Sequence, residues 1–399
     1  MSVSTAEVKK VIRRVYPQIR ALRRDLHAHP ETAFEEVRTA REVAEQLKRL
    51  KIPCRTRVGR TGVVGVLRGR HDGPCVALRA DMDALPMPEE NRFAHRSLNP
   101  GRMHACGHDG HTANLVGVAH VLSRLREHVR GSVKFIFQPA EESGVDGGAH
   151  HMIAEGVLSD PRPDVIFGLH VNHAVPLGKV STLSGPLLAS ADFFDIRIHG
   201  KGTHAAYPHK GLDPIVIASA VVQALQTITS RRVQPLHPAV VTVGRISGGT
   251  ARNIISELVT LGGTTRAYDA KTRRLLQQLV RKIPRDVARA MGGDAEVDFS
   301  ECYPPVINEA KATAYLKRVA TAALGRGQVL EAEPSMGGED FALFLHHIPG
   351  AFFWLGNGSP DRQIHSPRFD FDDRALHTGM LVMSELVLRR SEQVKGAVR

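Results

Sequence analysis

Residues 103–109, MHACGHD, place a thiol two positions from an imidazole, with further histidines on either side. Thiolate sulfur and imidazole nitrogen are preferred zinc ligands, at distances of about 2.0–2.3 Å. Cys106 and His108 share a glycine-containing loop, so both side chains can turn toward one centre. His104 and His111 are better explained by hydrogen bonding or by a place near a helix end than by metal ligation. The spacing is also compatible with a cysteine nucleophile that uses a histidine as its base.

Two adjacent glutamates, Glu141 and Glu142, offer a second kind of chemistry in the segment PAEES. Neighbouring carboxylates on a loop that leaves a buried strand repel each other unless cations or protons offset the charge. They are therefore candidates for metal ligation and general-base catalysis, whereas on a solvated loop the pair has no such meaning. His170 ends the apolar run VIFGLH, and His365 lies in the segment QIHSPRF. Each is a further candidate ligand, with an ordinary core or surface histidine as the alternative.

The first half of the chain alternates short β-rich runs with helical ones, which is typical of a mostly parallel sheet with helices on its faces. The pattern predicts strands at VVGVL (63–67), CVALRA (75–80), VKFIFQ (133–138) and VIFGLHV (165–171). It also predicts helices over about 33–50 and 111–129. Ser4 and Glu7 form a capping box that predicts an earlier helix.

The candidate chemical residues stand where such a sheet places a ligand site, in loops past the carboxyl ends of strands. Asp81 and Asp83 directly follow the run CVALRA. The two glutamates come shortly after VKFIFQ, and His170 ends VIFGLH. All three groups therefore fall where the rule predicts a binding site.

The pattern changes near residue 186, which predicts a second domain. Runs between about 187 and 304 follow the order β-α-β-β-α-β, which is typical of a ferredoxin-like unit. A chain of 399 residues also exceeds what one hydrophobic core usually serves. We therefore expect an α/β domain made of residues 1–186 and 305–399, and an inserted α+β domain at 187–304.

Composition narrows the class of protein. The formal charge is +12, but arginine and lysine are scattered and no aromatic-interleaved basic motif favours nucleic acid. No run approaches the roughly 20 apolar residues of a membrane span, and the N-terminus does not resemble a signal peptide. The cysteines Cys54, Cys75, Cys106 and Cys302 are too widely spaced to resemble a disulfide framework. We expect a cytoplasmic protein whose partners include neither nucleic acid nor membrane.

Motifs along nearly the whole chain resemble the M20 metallopeptidase family, in its aminoacylase, hippurate hydrolase and indole-acetyl-amino-acid hydrolase branch. They are, in order, RADMDALP (79–86), MHACGHDGH (103–111), QPAEES (138–143), GLHV (168–171), GKGTHAAYPH (200–209), MGGEDF (336–341) and IHSPRFDF (364–371). The resemblance implies a metal-dependent amidohydrolase with two divalent metal ions per subunit. Zinc suits cysteine, histidine and glutamate ligands, and manganese, cobalt and nickel remain alternatives.

The resemblance also implies a set of protein ligands in which the cysteine thiolate bridges the two metals. That set is Cys106, His108, Glu142, His170 and His365. Glu142 and His365 would complete one metal's ligands, and His108 and His170 those of the other metal.

Three further roles follow from the same resemblance. Glu141 would be the general base, and the carboxylate of Asp83 would orient a ligand histidine. Asp81 stands where many other M20 members have a metal-binding histidine, so His108 is taken as its replacement. His204 resembles a family histidine that reaches into the neighbouring subunit's active site, where it stabilises the oxyanion. This implies a homodimer, or a higher oligomer, built through the inserted domain.

Residues of the inserted domain and its neighbourhood are candidates for substrate binding. Asn253 resembles a family position that contacts substrate, with a simple turn role as the alternative. Arg266 can pair with a substrate carboxylate through a bidentate fork, although a strand arginine needs no such explanation. Gly338 allows close approach of the backbone to substrate, or else serves a turn.

The sequence therefore predicts hydrolysis of the amide bond of N-acyl or N-aroyl amino acids to a carboxylic acid and an amino acid. Dipeptidase or carboxypeptidase action on a short peptide is the alternative within the same fold. A non-catalytic protein that binds acyl amino acids is the alternative from another class, although neither a ligand nor the base is missing. A cysteine nucleophile is disfavoured because it leaves the glutamates and distant histidines without a role.

Overall fold

The computed structural model describes residues 3–393, which divide into two compact units. The first unit contains the described residues up to Leu187, Ile307–Glu333 and those from Asp340 onward. The second contains Leu188–Val306 and Pro334–Glu339. The last segment differs from the sequence-based division, which places it in the first domain. Its backbone bonds to the second unit explain the difference, since Ala189 N donates to the carbonyls of Ser335 and Gly337, both at 3.0 Å.

The described residues form both helices and strands in each unit. The helices are α1 (Thr5–Ala28), α2 (Val37–Arg49), α3 (His108–Arg124), α4 (Gly148–Ala154), α5 (Pro214–Thr227), α6 (Ala270–Ala290), α7 (Ala310–Leu324), α8 (Phe341–Leu345) and α9 (Ala375–Gln393). The strands are β1 (Cys54–Val58), β2 (Gly62–Arg68), β3 (His71–Asp81), β4 (Arg130–Gln138), β5 (Val165–Asn172), β6 (Val180–Thr182), β7 (Gly185–Leu188), β8 (Ala191–His199), β9 (Thr203–His204), β10 (Ala239–Gly248), β11 (Ile254–Ile255), β12 (Leu258–Ala267), β13 (Asp294–Tyr303), β14 (Val306–Asn308), β15 (Val329–Glu331) and β16 (Gly350–Gly356).

The first unit is built on a sheet of strand order β1-β2-β4-β3-β5-β16-β6-β15. Its central strands β4, β3, β5 and β16 run parallel to one another, and antiparallel pairings occur toward the edges. Each of the four predicted strands lies within one of β2, β3, β4 and β5. Parallel strands are covered on both faces, which explains their almost continuous burial.

Helices α1, α3 and α9 pack together beside this sheet and share its hydrophobic core. Helix α3 is buried without interruption from His108 to Leu122, so its first turn is held rigidly by its surroundings. Ser4 caps α1 by accepting a hydrogen bond from Glu7 N at 3.2 Å, as the capping box predicts. No helix among residues 3–393 combines the length and apolarity needed to cross a membrane.

The second unit has an antiparallel sheet of order β10-β12-β8-β13, with α5 and α6 packed against it. Alternating residues of β8 are buried, including Phe194, Ile196 and Ile198, which form a core with residues of both helices. The short strands β9 and β11 pair as a separate antiparallel ribbon. The α/β class with a ferredoxin-like insertion is thus confirmed.

Candidate metal centre

The candidate site lies in the first unit, at the carboxyl ends of the neighbouring strands β4, β3 and β5. Asp81 is the last residue of β3, and His170 lies near the end of β5. Between Cys106 and His108, Gly107 has a φ of 83° and precedes the first turn of α3. A Cβ at Gly107 would lie 2.6 Å from Val171 Cγ1, so this tight connection requires glycine.

The structure brings the five predicted ligands together in two groups that share one residue. The ligand atoms of Cys106, His108 and His170 lie within 4.8 Å of one another, and so do those of Cys106, Glu142 and His365. Because only Cys106 belongs to both groups, its sulfur has the position that a bridging ligand would need. This arrangement fits two metal ions.

Hydrogen bonds orient the two histidines of the first group, which are candidate ligands. His170 Nδ1 lies 2.7 Å from the carbonyl of Val171, which only accepts, so this nitrogen carries the proton. The other nitrogen, Nε2, therefore presents its lone pair to Cys106 Sγ at 3.2 Å. His108 Nδ1 lies 3.2 Å from Asp83 Oδ1, while its Nε2 is buried without a hydrogen-bond partner among the described residues. A cation would satisfy that orphaned nitrogen.

The electrostatics of the first group also fit a cation. Burial raises the pKa of the Cys106 thiol well above its usual value, and the carboxylates of Glu142 and Glu141 raise it further. Burial disfavours charge on His108, but Asp81 and Asp83 outweigh burial and raise its pKa to about 10. Bound divalent cations deprotonate a coordinating thiol and offset clustered carboxylates. The donor set therefore fits bound divalent cations.

Glu142 and His365 meet across the second group. His365 Nε2 lies 3.1 Å from Glu142 Oε1. Burial alone would raise the pKa of Glu142, but the hydrogen bond to His365 and the charge of His108 hold it below its usual value. The backbone N–H of His365 donates to the carbonyl of Ala105 at 2.8 Å, so its loop is tied to the Cys106 loop.

Asp83 contacts one residue of each group. One of its carboxylate oxygens faces His108 Nδ1, and the other accepts a hydrogen bond from Glu142 N at 2.9 Å. The side chain is almost wholly buried. A single carboxylate therefore sets the ring orientation of one candidate ligand, His108, and holds the backbone of another, Glu142.

Replacing Asp83 with asparagine is expected to weaken metal binding by roughly 10- to 100-fold. An amide nitrogen facing His108 Nδ1 would drive the ring to the tautomer whose Nε2 carries a proton and cannot bind a cation. The metal content that remains after dialysis against increasing concentrations of a chelator measures the change in metal affinity. Asp164→Asn is the matched control, because Asp164 also accepts a backbone hydrogen bond, from Cys75 N at 2.7 Å. Equal metal loss in both variants would contradict the role of Asp83.

A buried polar network behind the site was not predicted from the sequence. Arg79 donates to Asp81 at 2.6 Å and to Asp340 at 2.8 Å, and all three side chains are wholly buried. Asp81 also lies 2.6 Å from His111 Nδ1, and His111 Nε2 accepts from Val171 N at 2.8 Å. Both nitrogens of His111 are thus occupied, which fits a hydrogen-bonding histidine. The one feature of the sequence that indicates such a network is an arginine inside the apolar run CVALRA.

Glu141 lies beside both ligand groups. It opens the short 3-10 helix Glu141–Asp146, and its side chain is buried. Its carboxylate lies within 4.8 Å of the ligand atoms of His108 and Glu142. The preceding residue, Ala140, has a left-handed φ of 52°, which is uncommon for a residue other than glycine. This sharp turn separates the end of β4 from the glutamate pair.

The second unit places two of its candidate residues together and one apart. His204 pairs with Ile254 between β9 and β11, and Ala205 N donates to the carbonyl of Asn253 at 3.0 Å. Arg266 lies at the other end of β12, where its Nη1 is buried without a hydrogen-bond partner among the described residues. Burial lowers the pKa of Arg266. His204 therefore lies in the β9–β11 ribbon, which precedes the Leu258 end of β12, whereas Arg266 lies near the opposite end of that strand.

Gly338 packs within the second unit. A Cβ at this position would lie 2.8 Å from Ala191 Cβ and 3.1 Å from Tyr303 Cδ2. Packing by itself accounts for a glycine here, so close approach of substrate is not needed to explain it. The substrate-binding role of Gly338 stays a prediction.

Comparison with known proteins bears on the class of enzyme. The model of Peptidase family M20/M25/M40 matches residues 77–389, which is most of the chain. The chain belongs to this family. The resemblance carried by the seven motifs is thereby confirmed, and the chain is a metal-dependent hydrolase of amide bonds.

Individual M20 relatives cover nearly the full chain. An N-acetylcysteine deacetylase of Bacillus subtilis is 38% identical over 380 residues, which cover 94% of this chain and 97% of the relative. The IAA-amino acid hydrolase ILR1-like 4 of Arabidopsis thaliana is 40% identical over 384 residues, covering 94% and 86%. Among solved structures, the Bacillus subtilis YXEP protein, a dinuclear metal binding peptidase of the M20 family, has a TM-score of 0.83 and 35% identity, with coverage of 95% and 99%.

Proposed function

We propose that this M20 enzyme hydrolyses the amide bond of N-acyl or N-aroyl amino acids and releases a carboxylic acid and a free amino acid. The observation that carries the proposal is the pair of ligand groups sharing Cys106, with the Glu141 carboxylate beside them. Two of its relatives are a deacetylase of an N-acyl amino acid and a hydrolase of indole-acetyl-amino acids. Both names describe separation of an acyl group from an amino acid, which supports this substrate class.

In the proposed mechanism, two divalent cations, when bound, lower the pKa of water and polarise the substrate carbonyl. Glu141 accepts a proton from the attacking water and later delivers it to the nitrogen of the departing amine. One carboxylate can serve both steps because it is buried beside the ligands and does not exchange its proton freely with solvent. Cys106, His108, Glu142, His170 and His365 would hold the two ions, with zinc as the first choice and manganese, cobalt and nickel as alternatives.

The oxyanion of the tetrahedral intermediate needs donors, and His204 is proposed to supply one across a homodimer. The residues from Leu258 to Arg266 of β12 span about 27 Å at the usual rise of a strand. His204 lies beyond the Leu258 end, so it and Arg266 cannot both contact one small substrate within one subunit. We therefore propose that Arg266 binds the substrate carboxylate in one subunit, and that His204 and Asn253 come from the partner.

Exposed apolar side chains on the second unit support self-association. They are Phe193, Tyr207, Ile215, Val216, Leu236, Ile246, Ile254, Leu258 and Met291. Strand β10 is also an edge strand, with backbone groups free to pair with another copy. A closed dimer would bury such side chains of one copy against those of the other.

The variant His204→Ala is expected to lower kcat by about 10²–10³-fold and to leave metal content unchanged. His199→Ala is the matched control, because His199 is also a histidine of the second unit and is 45% exposed. Mixing His204→Ala with Glu141→Gln subunits should restore activity, since a mixed dimer contains one site with both groups. Loss of metal from His204→Ala, or no recovery on mixing while mixed dimers form, would contradict the role in the partner's site.

The substrate class is tested by a hydrolysis screen on metal-stripped enzyme reloaded with zinc, manganese, cobalt or nickel in turn. Hippurate, N-acetyl amino acids and dipeptides are compared by kcat/KM. We expect acyl and aroyl amino acids to exceed dipeptides. The reverse order would favour dipeptidase or carboxypeptidase action, which the structural similarity to an M20 peptidase keeps as the second candidate. A cytoplasmic location stays a prediction from the reduced, widely spaced cysteines.

A further inference from the structure

Glu36 stands at the N-cap of α2, yet its side chain does not cap that helix. The carboxylate of Glu31 does so instead, accepting hydrogen bonds from Arg38 N at 2.9 Å and Thr39 N at 2.7 Å. An N-cap side chain ordinarily satisfies its own helix's free N–H groups. Since another residue performs that task, the Glu36 carboxylate is free to point elsewhere.

The Glu36 carboxylate is directed to the loop that carries the general base. It is wholly buried, and its Oε1 accepts hydrogen bonds from Ala140 N at 2.8 Å and Phe34 N at 3.0 Å. Its Oε2 accepts from the Thr61 hydroxyl at 2.5 Å. Ala140 and Phe34 both have left-handed φ angles, 52° and 63°. Glu36 therefore holds the N–H groups of two residues whose left-handed backbone conformation is costly and needs support from its surroundings.

Glu141 is consequently held from both sides. The N–H of the residue before it, Ala140, donates to Glu36, and the N–H of the residue after it, Glu142, donates to Asp83. Both acceptors are buried carboxylates from separate segments of the first unit. Because the backbone is fixed on each side, the position of the Glu141 Cα and the direction of its side chain are restricted.

We propose that Glu36 is a positioning residue for Glu141, fixing the left-handed turn at Ala140 so that the base faces the attacking water. The inference rests on the proposed function, because it assumes that Glu141 moves the proton. Glu36 would therefore affect the rate of the reaction although it belongs to neither ligand group. The expected signature is a change in kcat with little change in KM or in metal content, since neither ligands nor substrate contacts are altered.

The experiment compares two substitutions at Glu36 in the full-length, metal-loaded enzyme with hippurate as substrate. Glu36→Ala is expected to lower kcat by about a hundredfold, the scale expected when a catalytic group shifts by about 1 Å. Glu36→Gln is expected to keep most of kcat, because its amide oxygen still accepts from Ala140 and its amide nitrogen can donate to Thr61. If Glu36→Ala does not fold, Thr61→Val gives the same test, with a smaller loss of kcat expected.

Glu31→Ala is the matched control, because it removes the carboxylate that caps the same helix without touching Ala140. It is expected to lower the midpoint of thermal unfolding while leaving kcat near that of the wild type. Equal kcat losses in Glu31→Ala and Glu36→Ala would overturn the proposal, as would metal loss from Glu36→Ala or no rescue by Glu36→Gln. Wild-type kcat in Glu36→Ala with an inactive Glu141→Gln would refute this inference alone, whereas an active Glu141→Gln would refute the proposed mechanism.

Discussion

Replacing Glu141 with glutamine is expected to lower kcat by about 10²–10⁴-fold while both metal ions stay bound. The amide keeps the size of the side chain but cannot accept a proton from water or return it to the departing amine. Glu141 is buried beside the ligand groups, so bulk solvent does not easily take over its role. Steady-state kinetics with hippurate, together with metal analysis of the same preparation, measures both expectations.

The variant Glu142→Gln distinguishes the proposed role of Glu141 as the base from that of Glu142 as a metal ligand. Glu142 belongs to the group with Cys106 and His365, so its substitution should remove metal as well as activity. If Glu141→Gln loses metal and Glu142→Gln keeps it, the two roles have been assigned in the wrong order. Substantial activity in metal-replete Glu141→Gln would exclude Glu141 as the base.

Cys106→Ser is expected to weaken metal binding by on the order of a hundredfold or more, because even outer groups around a metal contribute up to that factor. A serine hydroxyl does not ionise readily and is a poor substitute for a thiolate shared by two ions. Adding metal to the stripped wild type should raise its midpoint of thermal unfolding, since binding to the folded state stabilises it. That rise should be much smaller in Cys106→Ser.

Cys75→Ser is the matched control for the thiol. Cys75 is also buried in the first unit but lies near the start of β3's paired segment rather than at its carboxyl end. Its substitution should leave metal content unchanged. A Cys106→Ser enzyme that retains two ions per subunit but loses activity would instead favour the cysteine nucleophile.

Local sequence patterns predicted the sheet edge at which the candidate site lies. Apolar runs predicted β3, β4 and β5, and polar residues directly after them predicted the edge at which ligands would gather. This works because burial of a parallel strand forces an apolar run, so a carboxylate or histidine at its end is conspicuous. The pairing of His365 with Glu142 could not be inferred this way, since the two are far apart in the chain and only the family resemblance connected them.

Hydrogen-bond partners that are far apart in the chain could not be predicted from the sequence. Glu36 falls within the helix predicted over about 33–50, and its hydrogen bond to Ala140 N crosses 104 positions of the chain. Arg79 was visible as a charge within an apolar run, but its partner Asp340 is 261 positions away. Such partners depend on how strands are ordered in the sheet, and no local periodicity encodes that order.

The sequence by itself determined which residues are candidates for binding metal and moving a proton, because those abilities belong to side-chain types and because the motifs that contain them resemble those of the family. It also determined the α/β class and the inserted unit, since helical and strand periodicities are local. Only the tertiary structure decided that the ligand atoms of each candidate group lie within 4.8 Å of one another, that His170 turns its Nε2 toward the thiol, and that Glu36 and Asp83 hold the backbone around Glu141. These depend on distances of a few ångströms between distant segments, which are set by packing and strand order.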